Sequence, residues 1–313
     1  MSNTTSIEYA SDGTINIVEL PVADPGPGEL QLTGGACGIC SWDVNTAKLG
    51  SKMVPMAPPG HEGVGYVTKV GPDVTGFKEG DRVAAGGFAQ LRNVSTARAY
   101  PIPDSDLADE YWIVEPVSCA VTGIDRSNLS GGDRVAVIGT GFMGLLLIQG
   151  LLRHPLDALI AIDINQDRLD LAKNFGVGET YNPLNEDVEE LTATLKAREF
   201  DVVIDSSGSQ QGLDLATDIV KHGGILNLFG WIKGERASFN PTKWHLRGLT
   251  IVNSAPASRV RETFPPAIRL INQGVFDLRK LVTHVVPLDE YPSLMTSVLD
   301  GDPSYIKGVV KHS

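Results

Sequence analysis

A chain of 313 residues is too long for one small core, so two domains are expected. Its hydrophobic share of 42% and charged share of 20% are those of an ordinary globular protein, which excludes a disordered or fibrous chain. The net charge of −12 argues against nucleic acid and anionic membrane surfaces as partners. The first residues, MSNTTSIEYASDG, are polar and lack a basic region leading into an apolar core, so no secretory signal is expected. Residues 1 to about 115 read as short strands broken by turns such as Pro25-Gly26-Pro27-Gly28. Strand candidates are 65–70, 82–85 and 100–102, with no helix longer than a few turns before about residue 108. This half is expected to be mainly β, a small barrel or sandwich.

The pattern changes at Arg134. Val135-Ala136-Val137-Ile138 is an unbroken apolar run, which suits a strand buried on both faces. Gly139, Gly141 and Gly144 follow at G-x-G-x-x-G spacing, then a helical pattern with Met143, Leu146, Leu147 and Leu151 on one side. Its apolar core, 144–152, is broken by Gln149 and Gly150 and is too short to span a bilayer. A second apolar run, Leu159 to Ile162, ends on Asp163, 24 residues after Gly139. In such a unit the first glycine makes the tight turn, the second admits a pyrophosphate, and the third lets helix and strand pack closely. The helix N-terminus presents free N–H groups to the phosphates, and the acidic residue accepts hydrogen bonds from ribose hydroxyls. A dinucleotide site is therefore expected here.

Beyond it, strands are expected at 134–138, 159–163, 179–181, 202–205, 224–229 and 250–252, with helices at 142–153, 166–175, 186–197 and 210–221. Alternation of this kind indicates an α/β domain with a doubly wound parallel sheet. A helix near 259–273, a strand near 282–286, a helix after Pro287 and a strand at 306–310 follow. They do not continue the alternation and are expected to return to the first domain. The three cysteines, Cys37, Cys40 and Cys119, form no disulfide scaffold, so a reducing, cytoplasmic compartment is expected.

The second informative stretch is Gly60-His61-Glu62-Gly63-Val64-Gly65, with Cys37-Gly38-Ile39-Cys40-Ser41-Trp42-Asp43 upstream and Glu115-Pro116 downstream. Thiolate, imidazole and carboxylate are all zinc ligands, and a catalytic zinc takes three of them plus an open position. Each residue alone has an ordinary structural explanation; the combination is what points to a metal. Together with PGPGE (25–29), GDRVA (80–84), GTGFMG (139–144) and Asp163, these motifs resemble the zinc-dependent branch of the medium-chain dehydrogenase/reductase superfamily, over nearly the whole chain.

The resemblance implies a GroES-like catalytic domain over 1–122, completed by about 275–313, beside a Rossmann NAD-binding domain over 123–274. It implies a catalytic zinc on Cys40 and His61, with Glu62 or Glu115 as the third ligand, and Asp43 supporting the ligand histidine. Cys37 matches a position that is not a ligand, and Cys119 is a minor ligand candidate. The cofactor residues implied are Gly139, Thr140, Gly141, Phe142, Met143, Gly144, Asp163, Ile164, Arg168, Ser206, Ser207 and Asn253. Asp163 followed by Ile164 favours NAD over NADP. Lys307 matches a C-terminal position of the family, with a surface lysine as its equally weighted ordinary role.

Three departures accompany the resemblance. The four-cysteine lobe is missing after Ala84, so no structural zinc is expected. Trp42 stands where a proton-relaying Ser or Thr is usual, and Asn45 where the relay often ends in His. Ser41 is one position off, so the alcohol proton is expected to leave through Glu62 or Glu115 and water. The implied activity is hydride transfer between a secondary alcohol, polyol or sugar-like, and NAD, in a homo-oligomer, dimer or tetramer. A zinc-free enone or quinone reductase of the same fold and a catalytically silent NAD(H)-binding protein are the alternatives.

Overall fold

The computed structural model describes residues 2–50, 59–231, 236–255 and 259–312. In chain order the strands and helices are β1 (Ser2–Tyr9), β2 (Ile15–Val22), β3 (Glu29–Gly38), α1 (Ser41–Leu49), β4 (Glu62–Val70), β5 (Arg82–Ala84), β6 (Leu91–Ser95), β7 (Tyr100–Pro101) and α2 (Val114–Arg126). There follow β8 (Arg134–Ile138), α3 (Phe142–Leu151), β9 (Ala158–Ile162), α4 (Gln166–Phe175), β10 (Glu179–Tyr181), α5 (Val188–Lys196), β11 (Phe200–Asp205), α6 (Gln210–Ile219) and β12 (Val220–Leu228). The last are α7 (Pro241–Leu246), β13 (Thr250–Asn253), α8 (Phe264–Asn272), β14 (His284–Pro287), α9 (Tyr291–Leu299) and β15 (Gly308–Lys311). Two compact units result: Met1–Pro116 with Ala267–Ser313, and Val117–Pro266. Among the described residues no helix is long and apolar enough to cross a membrane.

The second unit holds a six-stranded sheet in the order β10-β9-β8-β11-β12-β13, with every pairing parallel. This is the doubly wound order in which the chain starts at the centre and reverses direction beside its first strand. The unbroken apolar runs now have a cause. Ala136, Ile138, Ile160, Ile162 and Val203 pack with Leu191 and Leu195 of α5 and Leu213, Ala216 and Ile219 of α6. Their alternates Val135, Val137, Ala161, Val202 and Ile204 are also buried. Both faces are covered, so neither set of alternating positions can be polar. The helix α3 departs from the expected one-sided pattern: every residue from Gly144 to Leu151 is buried.

The first unit is built on a sheet ordered β14-β15-β3-β4-β5-β7, with β6 also paired to β3 and β1–β2 a separate hairpin. The β14–β15 pair is parallel and the others are antiparallel. The C-terminal segment thus inserts β15 beside β3, with Val309 opposite Gly38 and Val310 opposite Cys37. Ile7, Cys37, Ile39, Phe88, Tyr291, Leu294, Met295 and Val310 form one core cluster, and Leu30, Leu32, Val67, Val83 and Ala99 another. The expected reading of this half as strands and turns omitted α1. A cysteine rather than Ser, Thr, Asp or Asn precedes that helix, which hides the usual start signal.

Phe200, fully buried where β11 meets α5 and α6, tests the sheet core. Phe200→Ala is expected to destabilise the second unit by about 3–5 kcal/mol through lost transfer energy plus a cavity. Urea unfolding followed by circular dichroism measures it; a loss below about 1 kcal/mol would show that the site collapses around the smaller side chain.

Candidate functional site

The first cluster is made where β3 ends and β4 begins. Cys40 precedes α1 in an extended conformation, and its backbone N–H donates to Asp43 Oδ2 at 2.8 Å. Asp43 is buried, and burial pushes its carboxyl pKa up to about 7 against the opposing Cys40 N–H. The Tyr9 hydroxyl lies 3.5 Å from Asp43 Oδ1 and is itself bonded to the Tyr291 hydroxyl. Asp43 therefore fixes the backbone of Cys40 rather than supporting the His61 ring, the role the resemblance implies for it.

Glu62 opens β4 directly opposite Gly38. A Cβ on residue 38 would lie 2.0 Å from Glu62 Oε2, so only glycine lets this carboxylate cross the end of β3. Cys40 Sγ, a ring nitrogen of His61 and a carboxylate oxygen of Glu62 all lie within 4.8 Å of one another. A tetrahedral zinc with bonds of about 2.0–2.3 Å sets its ligand atoms about 3.5 Å apart, so a small inward movement closes this triangle on an ion. His61 Nδ1 is buried with no hydrogen-bond partner, and burial pushes the imidazole toward its neutral, ligating form although Glu62 opposes the shift. Burial, with Glu62 and Glu115, also raises the Cys40 thiol well above its usual pKa. A buried soft thiol, a neutral imidazole and a buried carboxylate make a donor set that fits zinc.

The other predicted residues divide around this cluster. Glu115 lies half-buried in the first turn of α2, outside the three-residue group but close enough to act on the Cys40 thiol. Ser41 is exposed and Trp42 half-buried in the first turn of α1. Cys37 is buried in a core cluster and Cys119 is half-buried in α2. Lys307 overturns the surface reading. It is buried just before β15, its Nζ 2.5 Å from Glu62 Oε2 and donating to the Ile39 carbonyl at 2.8 Å. Burial alone would lower its pKa, but Glu62 and Cys40 raise it above the ordinary value. A lysine near a chain end gives no sequence signal of such burial.

The second cluster lies at the carboxyl ends of β8, β9 and β11. Gly139 has φ 89°, and a Cβ there would meet Ser207 Cα at 2.7 Å; one on Gly144 would meet the Gly139 carbonyl at 1.9 Å. Gly141 by contrast has nothing nearer its Cβ position than Arg168 Nη1 at 4.0 Å. Two glycines are thus needed for packing, and the third leaves an open face where phosphate can approach the N-terminus of α3. Thr140, Phe142 and Met143 complete this turn, and the buried Thr140 hydroxyl has no partner. Asp163 accepts the Thr140 N–H on one oxygen and the Asn165 N–H, at 2.9 Å, on the other. Ile164 beside it is exposed, and Asn165 caps α4 through the N–H of Arg168 at 3.1 Å.

Ser206 and Ser207 are held next to Gly139 by Asp205, which the sequence marks as the end of its strand but to which it assigns no role. The buried Asp205 accepts the Ser207 N–H at 2.9 Å and its hydroxyl at 2.7 Å, while the Ser206 N–H donates to Ile138. Its serine-rich surroundings were the available signal. Asn253 ends β13, and its carbonyl accepts from Arg126 Nε at 3.2 Å. Of the tryptophans, Trp112 is fully buried, Trp244 stacks on Phe239, and Trp231 is exposed.

Two family models match the chain: an alcohol dehydrogenase GroES-like domain over residues 26–104 and a zinc-binding dehydrogenase domain over 143–273. A D-altritol 5-dehydrogenase of Agrobacterium fabrum is 28% identical, over 96% of this chain and 98% of its own. A sorbitol dehydrogenase of Gallus gallus is 27% identical, over 89% of this chain and 88% of its own. Among solved structures, the 2R,3R-butanediol dehydrogenase of Bacillus subtilis superposes with a TM-score of 0.86 at 24% identity, over 98% of this chain and 99% of its own, and shares the fold.

Asp43 gives a pH test. Its folded pKa is raised from 3.8 to about 7, so between those values the native state keeps a proton the unfolded chain has released. Its contribution to stability is therefore present at low pH and lost as pH rises through that window. Thermal unfolding of chelator-treated wild type and Asp43→Asn is expected to show the wild type losing ground to the variant from about pH 4 to 7. Parallel pH profiles would show that Asp43 does not titrate there.

Proposed function

Because the chain belongs to the zinc-dependent medium-chain dehydrogenase superfamily, and is by that membership an oxidoreductase, we propose that it oxidises a secondary alcohol of the polyol or sugar-alcohol class with NAD. The Cys40–His61–Glu62 triangle carries this reading. Bound zinc supplies Lewis acidity and bound NAD accepts the hydride. Cys40, His61 and Glu62 would hold the zinc, with Asp43 fixing the backbone of Cys40. The open face at Gly141 and the N-terminus of α3 would bind the pyrophosphate, and Asp163 the adenosine ribose. Arg168, Ser206, Ser207 and Asn253 would line the rest of the cofactor site.

The substrate class rests on the altritol and sorbitol dehydrogenases among the relatives and on a carboxylate rather than a second cysteine in the donor set. Trp42 would be a wall of the substrate pocket, since an indole nitrogen donates but cannot take up a proton. Glu115, close enough to act on the Cys40 thiol, would receive the alcohol proton and pass it to water. A zinc-free reductase of this fold has no use for the triangle, and a silent binding protein has no use for its buried, unpartnered imidazole nitrogen.

Metal analysis and an NAD-linked screen over polyols and secondary alcohols test the proposal together. About one zinc per chain and turnover of a polyol are expected, and Cys40→Ser should lose both. Undiminished turnover in zinc-stripped protein would overturn it. Glu115→Gln is expected to keep its zinc and lose about two or more powers of ten in kcat. A Glu115→Gln enzyme with unchanged kcat would send the proton elsewhere.

Cofactor choice is a separate measurement. NAD should be preferred over NADP, because the Asp163 carboxylate repels a 2′-phosphate. Asp163→Ser should narrow that preference by about 1–3 kcal/mol, the scale of a charged hydrogen bond. Equal kcat/KM for the two cofactors in the wild type would count against the assignment.

A further inference from the structure

Lys307 is a buried ammonium aimed at a residue of the metal-binding triangle. Its Nζ reaches Glu62 Oε2 at 2.5 Å and the Ile39 carbonyl at 2.8 Å, and both charged side chains are almost wholly buried. The pair crosses the end of β3 at Gly38, where a Cβ would lie 2.0 Å from Glu62 Oε2 and 3.1 Å from Lys307 Cε. The pairing of β15 with β3 holds residue 307 at this height, and the pairing of β4 with β3 holds residue 62 opposite Gly38. A surface lysine could swing away into water, but this one has no such alternative.

A carboxylate buried without positive charge is strongly destabilising, whereas one with a close cation is tolerated. Glu62 has one such cation in the fold itself and, on the proposed function, a second in zinc. The two cations also repel each other across a few ångströms of poorly screened interior. We propose that Lys307 is a stand-in cation: it neutralises Glu62 while the metal site is empty and yields part of that carboxylate's charge to zinc on loading. This inference rests on the zinc reading of the previous section. Lys307 in these terms acts through the charge of Glu62, and it weakens metal affinity in exchange for an apo-protein that stays folded.

Because the stand-in matters most without metal, its removal acts unequally on the two forms. In zinc-loaded Lys307→Met, Glu62 still faces a cation; in the zinc-free variant it faces none. Thermal unfolding of zinc-loaded and chelator-treated protein is the direct measurement, with zinc affinity taken by competition against a chromophoric chelator. Lys307→Met is expected to lower the Tm of the chelator-treated form by about 5 °C or more beyond its effect on the loaded form. By thermodynamic reciprocity it should bind zinc about tenfold or more tightly than wild type. Lys307→Arg, which keeps the charge, should restore both values toward wild type. If Lys307→Met folds only when zinc is present, that dependence supports the proposal. Glu62→Gln/Lys307→Met, with neither charge buried, should then fold without metal.

Equal lowering of Tm in both forms with unchanged zinc affinity would make Lys307 a merely structural residue and overturn the inference. Weaker zinc binding by Lys307→Met would overturn it in the other direction, since the lysine would then be organising Glu62 for the metal. Wild type that takes up no zinc would remove the zinc reading as well. Zinc uptake without coupling to residue 307 would remove only the present inference.

Discussion

The pairing of β3 with β4 on one side and β15 on the other is the constraint on which the Cys40–His61–Glu62 cluster depends. Three stretches far apart in sequence reach one place only because the hydrogen-bond ladders set their register. Gly38 faces Glu62 across one ladder and Val309 across the other. Cys40 follows two residues beyond Gly38, and Lys307 precedes Val309 by two. A slip of one residue in either ladder would turn the affected side chains to the opposite face of the sheet. The hydrophobic cluster around Cys37, Ile39, Phe88 and Val310 opposes such a slip, because it buries apolar side chains from the same strands. Packing of the sheet and assembly of the cluster are therefore one event.

In the second unit the organising principle is different. There the strands are held by burial on both faces, and the residues proposed to meet a cofactor sit on the turns at their carboxyl ends. Those turns are stabilised by their own polar groups. Asp163 binds the N–H groups of Thr140 and Asn165, and Asp205 binds Ser207 through both backbone and side chain. Rigid strands deliver the turns, and two carboxylates set the turns' shape. The positions suited to phosphate and ribose are thus fixed by contacts within the protein.

How much of this was legible in the sequence followed from the same physics. Strands buried on both faces leave unbroken apolar runs, so 134–138 was read at its actual limits. The edge strands 179–181 and 250–253 are not fully buried, and there the helix–strand alternation placed them, at the actual limits and within one residue. The glycines of 139–144 carried their own turn geometry. Cys40, His61 and the two carboxylates were legible as a set of ligand types; that Glu62 lies with Cys40 and His61, and Glu115 outside that group of three, required the β3–β4 register. Other features left weaker traces. The hairpin β1–β2 has exposed polar residues on much of its surface, and α1 begins after a cysteine. The sequence leaves Lys307 divided between a family position and a surface lysine, because the partner beside it is 245 positions away, a distance that no local pattern spans.

Asp163 has an implication for anyone who would redesign cofactor choice. Both of its oxygens are already occupied by backbone donors, one from the glycine turn and one from the start of α4. On the proposed function the carboxylate is consequently a strut as well as a recognition group. Exchanging it for a smaller neutral side chain would release the N–H of Thr140 beside the phosphate position at the same time as it admits a 2′-phosphate. Specificity and affinity are bound together at one residue, and relaxing the first loosens the second for either nucleotide. A change of cofactor in this fold would have to begin by giving the orphaned amides new acceptors, before any new phosphate contacts are added.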